Sequence, residues 1–220
     1  DKSGTFVPAP KGSEPAIKKG EVYFHSASGQ RKSTGTYFTP HIVVEHLVSR
    51  SLDPVLDQHL ARVKELLDSH DQSGAAAMFF DFRVADLAMG SAHFLTAAVD
   101  HMESRMRDFL TEHPIARVTD ELRTLETAAT LALGTDAAAV ADIDPAALLR
   151  RQIARRCIYG LDINPMAVEL ARLAIWITTF VPGLPMSSLD HTLVCANSLT
   201  GVGTVDEAVR ALDPSAEEGQ

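Results

Sequence analysis

Cysteine is scarce in this chain: Cys157 and Cys195 are the only two in 220 residues. Two isolated thiols give no disulfide framework, and residues 1–20 are polar, with no apolar segment that would serve as a secretory signal. A cytoplasmic protein with reduced cysteines is expected. Long apolar runs are missing as well. None reaches the roughly 20 residues of a membrane span, so no membrane partner is expected. Positive charge is in deficit, with 20 Lys and Arg against 29 Asp and Glu. The formal charge of -9 argues against a complete nucleic-acid-binding face, because neutralising phosphates needs clustered Lys and Arg. The small basic cluster of Lys11, Lys18, Lys19, Arg31 and Lys32 reads as a solvated arm.

What is present is 45% hydrophobic content, enough for one core with an attached helical subdomain. Residues 1–38 read as an arm and lead-in segment, with a strand candidate at 21–25. Residues 39–74 read as N-terminal helices. Thr39-Pro40 opens the first, as N-cap and first-turn proline, with Ile42, Val43, Leu47 and Val48 as its buried stripe. Asp53-Pro54 restarts a second, carrying Val55, Leu56, Leu60, Val63, Leu66 and Leu67, with its end marked by Asp71, Ser73 and Gly74.

Residues 75–200 read as the core. A buried strand at 78–87 stops at Gly90-Ser91, and a helix follows with Phe94, Leu95, Ala98 and Met102 on its apolar face. Residues 103–156 read as an inserted helical layer in which Asp144-Pro145 repeats the cap-and-proline start. A second strand, 157–161, ends at Asp162. Pro165 then opens a helix whose apolar set is Met166, Val168, Leu170, Leu173, Ala174 and Ile177. A third strand, 192–195, ends at Asn197, and residues 201–220 read as a truncated helix or disordered tail. Alternating strands and helices predict an open, parallel α/β sheet, with ligands beyond the carboxyl ends of its strands.

Three strand ends carry the candidate chemistry. Asp86-Leu87-Ala88-Met89-Gly90-Ser91-Ala92 is a strand end and small-residue turn that lets a ligand approach the backbone. With its single glycine it is not the G-x-G-x-x-G of a dinucleotide site, which counts against a nicotinamide-dependent oxidoreductase. Asp162 suits both hydroxyls of a ribose, or else serves as the negative charge at the helix start that follows it. Ile163 covers one face of an adenine ring or belongs to the core. Asn197 offers an amide donor and acceptor to a purine edge, or is a turn residue. Jointly they point to a nucleoside-containing ligand.

Four segments resemble the N6-adenine DNA methyltransferases of restriction-modification and phage-defence systems, especially large fused restriction-and-modification enzymes. Arg31-Lys32-Ser33-Thr34-Gly35-Thr36-Tyr37-Phe38-Thr39-Pro40 resembles the family's arginine-containing lead-in ending in Tyr-Thr-Pro. Residues 86–95 resemble its Asp-Pro-Ala-Cys-Gly-Ser-Gly-His-Phe-Leu loop. Residues 158–168, from Ile158-Tyr159-Gly160-Leu161-Asp162 to Val168, resemble its second-strand motif almost position by position. Cys195-Ala196-Asn197-Ser198-Leu199 resembles its Cys-Gly-Asn-Ser-Leu motif. The resemblance implies a Rossmann-like fold that binds S-adenosylmethionine. Thr39 and Pro40 would cover the methionine end, and Asp86, Ala88 and Gly90 would line methionine and ribose. Asp162 would hold the ribose hydroxyls with Ile163 against the adenine, and Asn197 would read the adenine edge beside Ser198.

The sequence departs from the family in two ways. Ala92 and Ala196 replace glycines, and Leu87 and Met89 replace Pro and Cys. No Pro-Pro pair occurs, so the motif that holds a flipped adenine for in-line methyl transfer is missing, as is a target-recognition domain. The expectation is a partial parallel sheet with an inserted helical layer and no catalytic residues. DNA would be contacted through other parts of a parent protein, and the remaining methyltransferase half or a defence-system subunit would be a partner. The rival is a non-catalytic remnant acting as an interaction module. The edge of the first strand, left without its usual neighbour, is expected to promote self-association. No metal site is expected, since His41 and His46 diverge by roughly 140° on a helix. His93 reads as a packing residue near the ligand, and Trp176 as core.

Overall fold

The computed structural model describes residues 39–134, 143–185 and 192–199. The chain divides into two compact units, 1–39 and 40–220, and every helix and strand among the described residues belongs to the second. The strand candidate at 21–25, the lead-in up to residue 38 and the tail at 201–220 lie outside the described residues.

Helix α1 runs His41–Asp68 without a break. Pro40, not Thr39, holds the N-cap position, and it makes no side-chain cap. The expected division at Asp53-Pro54 does not occur: Pro54 lies inside the helix. Its missing N–H forfeits one bond to the carbonyl four residues back, yet a single face continues across it through Val44, Val48, Leu56, Leu60 and Val63, all buried. That continuity sets the phase of the first turns. Ile42, Val43 and Leu47, expected inside, are therefore exposed, as is Val55. Asp53 also ties the helix to the rest of the fold, with His101 Nε2 2.7 Å from its Oδ1.

Asp71, Ser73 and Gly74 start a helix where they were expected to end one. α1 closes with His70 at φ 65, where His70 N donates to Leu67 O and Asp71 N donates to Leu66 O, the paired bonds of a left-handed C-terminal cap. Asp71 Oδ1 then accepts Gly74 N–H at 2.8 Å and caps α2, Gln72–Phe79. The expected strand at 78–87 shrinks to β1, Val84–Asp86. Its first residues belong to α2, because a short apolar run carries no period and the Asp71 cap decides for helix. His70→Gly removes the left-handed penalty of an exposed side chain and is expected to stabilise by about 0.5–1 kcal/mol. Thermal melting would show this as a rise of roughly 2 °C.

The described part of the stretch read as an inserted layer is helical, and its first helix begins earlier, at His93. α3 is His93–Glu112, α4 is Ala116–Leu133 and α5 is Pro145–Cys157. Asp144 accepts Ala146 N–H at 2.9 Å with Pro145 in the first turn, so the expected start of α5 stands. Glu103 of α3 is buried against α5; it accepts from Arg107 at 2.8 Å and lies 3.7 Å from Arg150. Burial pushes its carboxyl above the usual range, opposed by the two guanidiniums. A raised folded pKa means that the contribution is fully present below the ordinary glutamate value, about 4.3, and is lost as pH rises through the folded one. Glu103→Gln keeps the acceptor without the buried charge. Its melting temperature is expected to gain on the parent between pH 4 and 7, and a shrinking gap would refute this.

β2, Ile158–Asp162, is the middle strand of a parallel sheet ordered β1-β2-β3, with β3 at Leu193–Cys195. Asp86 lies opposite Gly160, and Asp162 opposite Cys195. The fold is α/β, with six helices and three parallel strands among the described residues, an arrangement compatible with a Rossmann-like sheet. α6, Pro165–Thr178, starts as expected, with Asn164 accepting Met166 N–H at 3.1 Å.

The apolar set expected inside α6 is largely wrong. Ala167, Val168, Ala171 and Ile175 face the core, while Met166, Leu170, Leu173 and Ile177 are exposed. The helix carries apolar residues on two faces, so its period alone left two to choose from. Trp176, expected in the core, is only partly buried and stands edge-on to Phe180 at 5.5 Å.

Candidate functional site: the carboxyl edge of the sheet

Parallel pairing brings the ends of all three strands to one edge, and there the turn after β1 folds over β2. Asp86 Oδ1 accepts Ala88 N–H at 3.0 Å and tightens the turn's first step. Met89 N donates to Leu161 O at 2.9 Å, and the Met89 side chain is buried over Gly160. A Cβ on Gly160 would sit 2.3 Å from Met89 Sδ, so this strand position takes glycine because the turn rests on it. Gly90, at φ 55, then donates its N–H to Asp162 Oδ2 at 2.8 Å.

Asp162 is the hub of the edge. Its other carboxylate oxygen accepts Asn164 N–H at 2.8 Å, and its carbonyl accepts Ala196 N–H at 3.0 Å. One residue thereby ties the turn after β1, the start of α6 and the segment after β3. A carboxylate has about four lone-pair directions, so about two remain for donors from a ligand. Beside it Ile163 is 65% exposed, so it is a surface side chain and not core.

Ala92, one of the two alanines in family glycine positions, adopts φ 64 and ψ 28. This is the left-handed conformation that glycine takes freely and alanine takes at a cost of about 1–2 kcal/mol. Its methyl is fully buried in the core, so it does not stand in an open cleft. Gly90 has no atom within 4 Å of where a Cβ would be, which leaves open space at the turn.

The remaining expected residues are less concentrated. Asn197 Oδ1 accepts Leu199 N–H at 2.9 Å, so its carbonyl serves a turn, and Ser198 is exposed beside it. Pro40 is exposed at the head of α1, where the His41 ring lies 6.3 Å from that of His93. The sheet-edge turn and the head of α1 thus come close through these two histidines. Thr39 falls in the first unit. His41 Nδ1 lies 3.4 Å from Glu45 on its own helix. A cavity of about 380 Å³ lies between α1, α3 and β1, lined by Leu47, Leu52, Val84, Leu87 and Phe94 among others. Of the candidate ligand residues it takes in only Asp86.

Sequence reasoning missed the seating of Met89 on Gly160, although a lone glycine within a strand is the signal for such a close approach. It also missed the use of Asp162 as a clamp on Gly90, for which no local pattern exists. Cys157 is buried, and burial pushes its thiol up to about 12, which leaves it protonated and unreactive. No family model, curated protein or solved structure matches the chain.

Proposed function

We propose that this chain is the S-adenosylmethionine-binding portion of a site-specific DNA adenine-N6 methyltransferase of restriction-modification or phage-defence type, without the residues that perform the transfer. The Asp162 clamp carries the reading: an acid at the end of the central strand holds the small-residue turn of the neighbouring strand through Gly90 N–H. The four sequence segments and the parallel order β1-β2-β3 support it. So does the left-handed backbone at Ala92, a conformation that glycine takes freely.

The donor set fits the cofactor. Two acceptor directions on Asp162 suit vicinal hydroxyls, exposed Ile163 suits one face of an adenine, and the space at Gly90 suits the methionine chain. Bound there, the cofactor would supply an electrophilic sulfonium methyl. This chain's residues bind and orient it: Asp86 and Ala88 shape the turn, Asn197 and Ser198 stand at the adenine edge, and Pro40 closes the methionine end. DNA and the remaining methyltransferase half, or a defence-system subunit, are the partners this reading requires.

Calorimetric titration with S-adenosylmethionine is expected to show binding below millimolar concentration, with none for NAD in parallel. No binding at millimolar ligand would leave the second reading, a non-catalytic remnant acting as an interaction module. One observation favours that alternative. The Asn197 carbonyl is taken up by Leu199 N–H, and the purine edge would have only the amide donor.

A further inference from the structure

α6 carries an apolar stripe on the side away from the core. Met166 is 65% exposed, Leu170 48%, Leu173 47% and Ile177 61%, and Phe180 continues the line at 49%. Their separations are four, three, four and three residues, the repeat of a helix-pairing seam and not the broader face of a helix lying on a core. Exposed apolar residues scattered singly need no partner, whereas a continuous stripe of five large side chains does.

We propose that two copies of this chain pair through α6, antiparallel across a two-fold axis. The four helical positions are self-complementary. Reversed about a point between Ala171 and Arg172, Met166 falls level with Ile177 of the second copy, and Leu170 with its Leu173. A two-fold contact requires such a match, because each patch must fit its own copy.

Charge agrees with this occupant. Glu169 and Arg172 are the only charged residues on α6, and they pair with each other at 2.7 Å. In the reversed alignment Glu169 comes level with Ala174 and Arg172 with Ala171, so no like charges are opposed. The charge of -9 on each copy makes the pairing repulsive at long range, and added salt is therefore expected to tighten it. The five side chains on two copies amount to on the order of 1,000 Å² of buried surface, the size of a weak or transient pair. In the same alignment Phe180 falls level with Ile163 of the second copy, just beyond the helix start. The pairing does not depend on the methyltransferase reading.

Sedimentation equilibrium on the full chain tests it. The parent is expected to show concentration-dependent mass rising toward twice 23.7 kDa. Leu170→Glu/Leu173→Glu is expected to weaken association at least tenfold while leaving the melting temperature within a few degrees, because both side chains are already half exposed. In a Cys195→Ser background, an equimolar mixture of Leu170→Cys and Leu173→Cys chains is expected to oxidise to a crosslinked pair faster than either alone. A parent that stays monomeric to several hundred micromolar overturns the proposal. So does association that survives the glutamate pair but disappears on Ala85→Pro in strand β1, at one end of the order β1-β2-β3, since that assigns the contact to the sheet edge.

Discussion

Gly160→Ala is expected to destabilise the protein by about 2–3 kcal/mol, in the range of overpacked cores. The new methyl would lie 2.3 Å from Met89 Sδ, 3.0 Å from Leu95 Cδ1 and 3.1 Å from Leu193 Cδ2, and strands on both sides hold the backbone of β2. Met89 must therefore move, although its N–H is bonded to Leu161 and its neighbour Gly90 is bonded to Asp162. The damage passes along the turn to the candidate site. Under the proposed function, S-adenosylmethionine affinity falls at least tenfold even where the variant remains folded. Met89→Ala supplies the check. Added to Gly160→Ala it removes the clashing sulfur, and urea titrations of the four proteins should give a favourable coupling of at least about 1 kcal/mol. Additive losses would show that Met89 and Gly160 do not bear on each other.

Asp162→Ala is expected to lose about 2–4 kcal/mol of stability, because it leaves the Gly90 and Asn164 N–H groups without their acceptor. Both sites are part-buried, so water replaces some of each bond and the lower half of that range applies first. Under the proposed function the same change abolishes measurable cofactor binding. Asp162→Asn separates the two effects. One amide oxygen remains for one of the two N–H groups, so the stability loss is smaller, about 1–2 kcal/mol. The ribose hydroxyls meanwhile lose a charged acceptor, and affinity should still fall by at least tenfold. An Asn variant that is destabilised yet binds as tightly as the parent would make Asp162 a structural clamp only, and would remove the main support for the nucleoside reading.

Much of the fold was legible locally. Asp144-Pro145 and Asn164-Pro165 start helices as read, since an oxygen side chain accepting a first-turn N–H and a proline that lacks one are decided within a few residues. β2 was readable as a short apolar run between a helix end and Asp162. Errors arose where a local signal was real but outweighed. Pro54 carries the signature of a helix start, yet the face from Val44 to Val63 buries continuously and is worth more than one lost backbone bond. The run around Met78 had no period, and the cap at Asp71 made it helix.

The sequence by itself determined that the chain alternates helices with short strands, and that acid, small-residue and amide positions fall at or just beyond the ends of those strands. These are properties of neighbours along the chain, set by caps, prolines and runs of apolar residues. Only the tertiary structure decided which face of α1 and α6 lies inward, that Met89 rests on Gly160, and that Asp162 holds Gly90 across 72 positions of sequence. The physical reason is the same in each case. Burial and hydrogen-bond satisfaction are settled between segments that meet only after the sheet forms, and a helix apolar on two faces or a lone acid carries no local mark of the partner it will find.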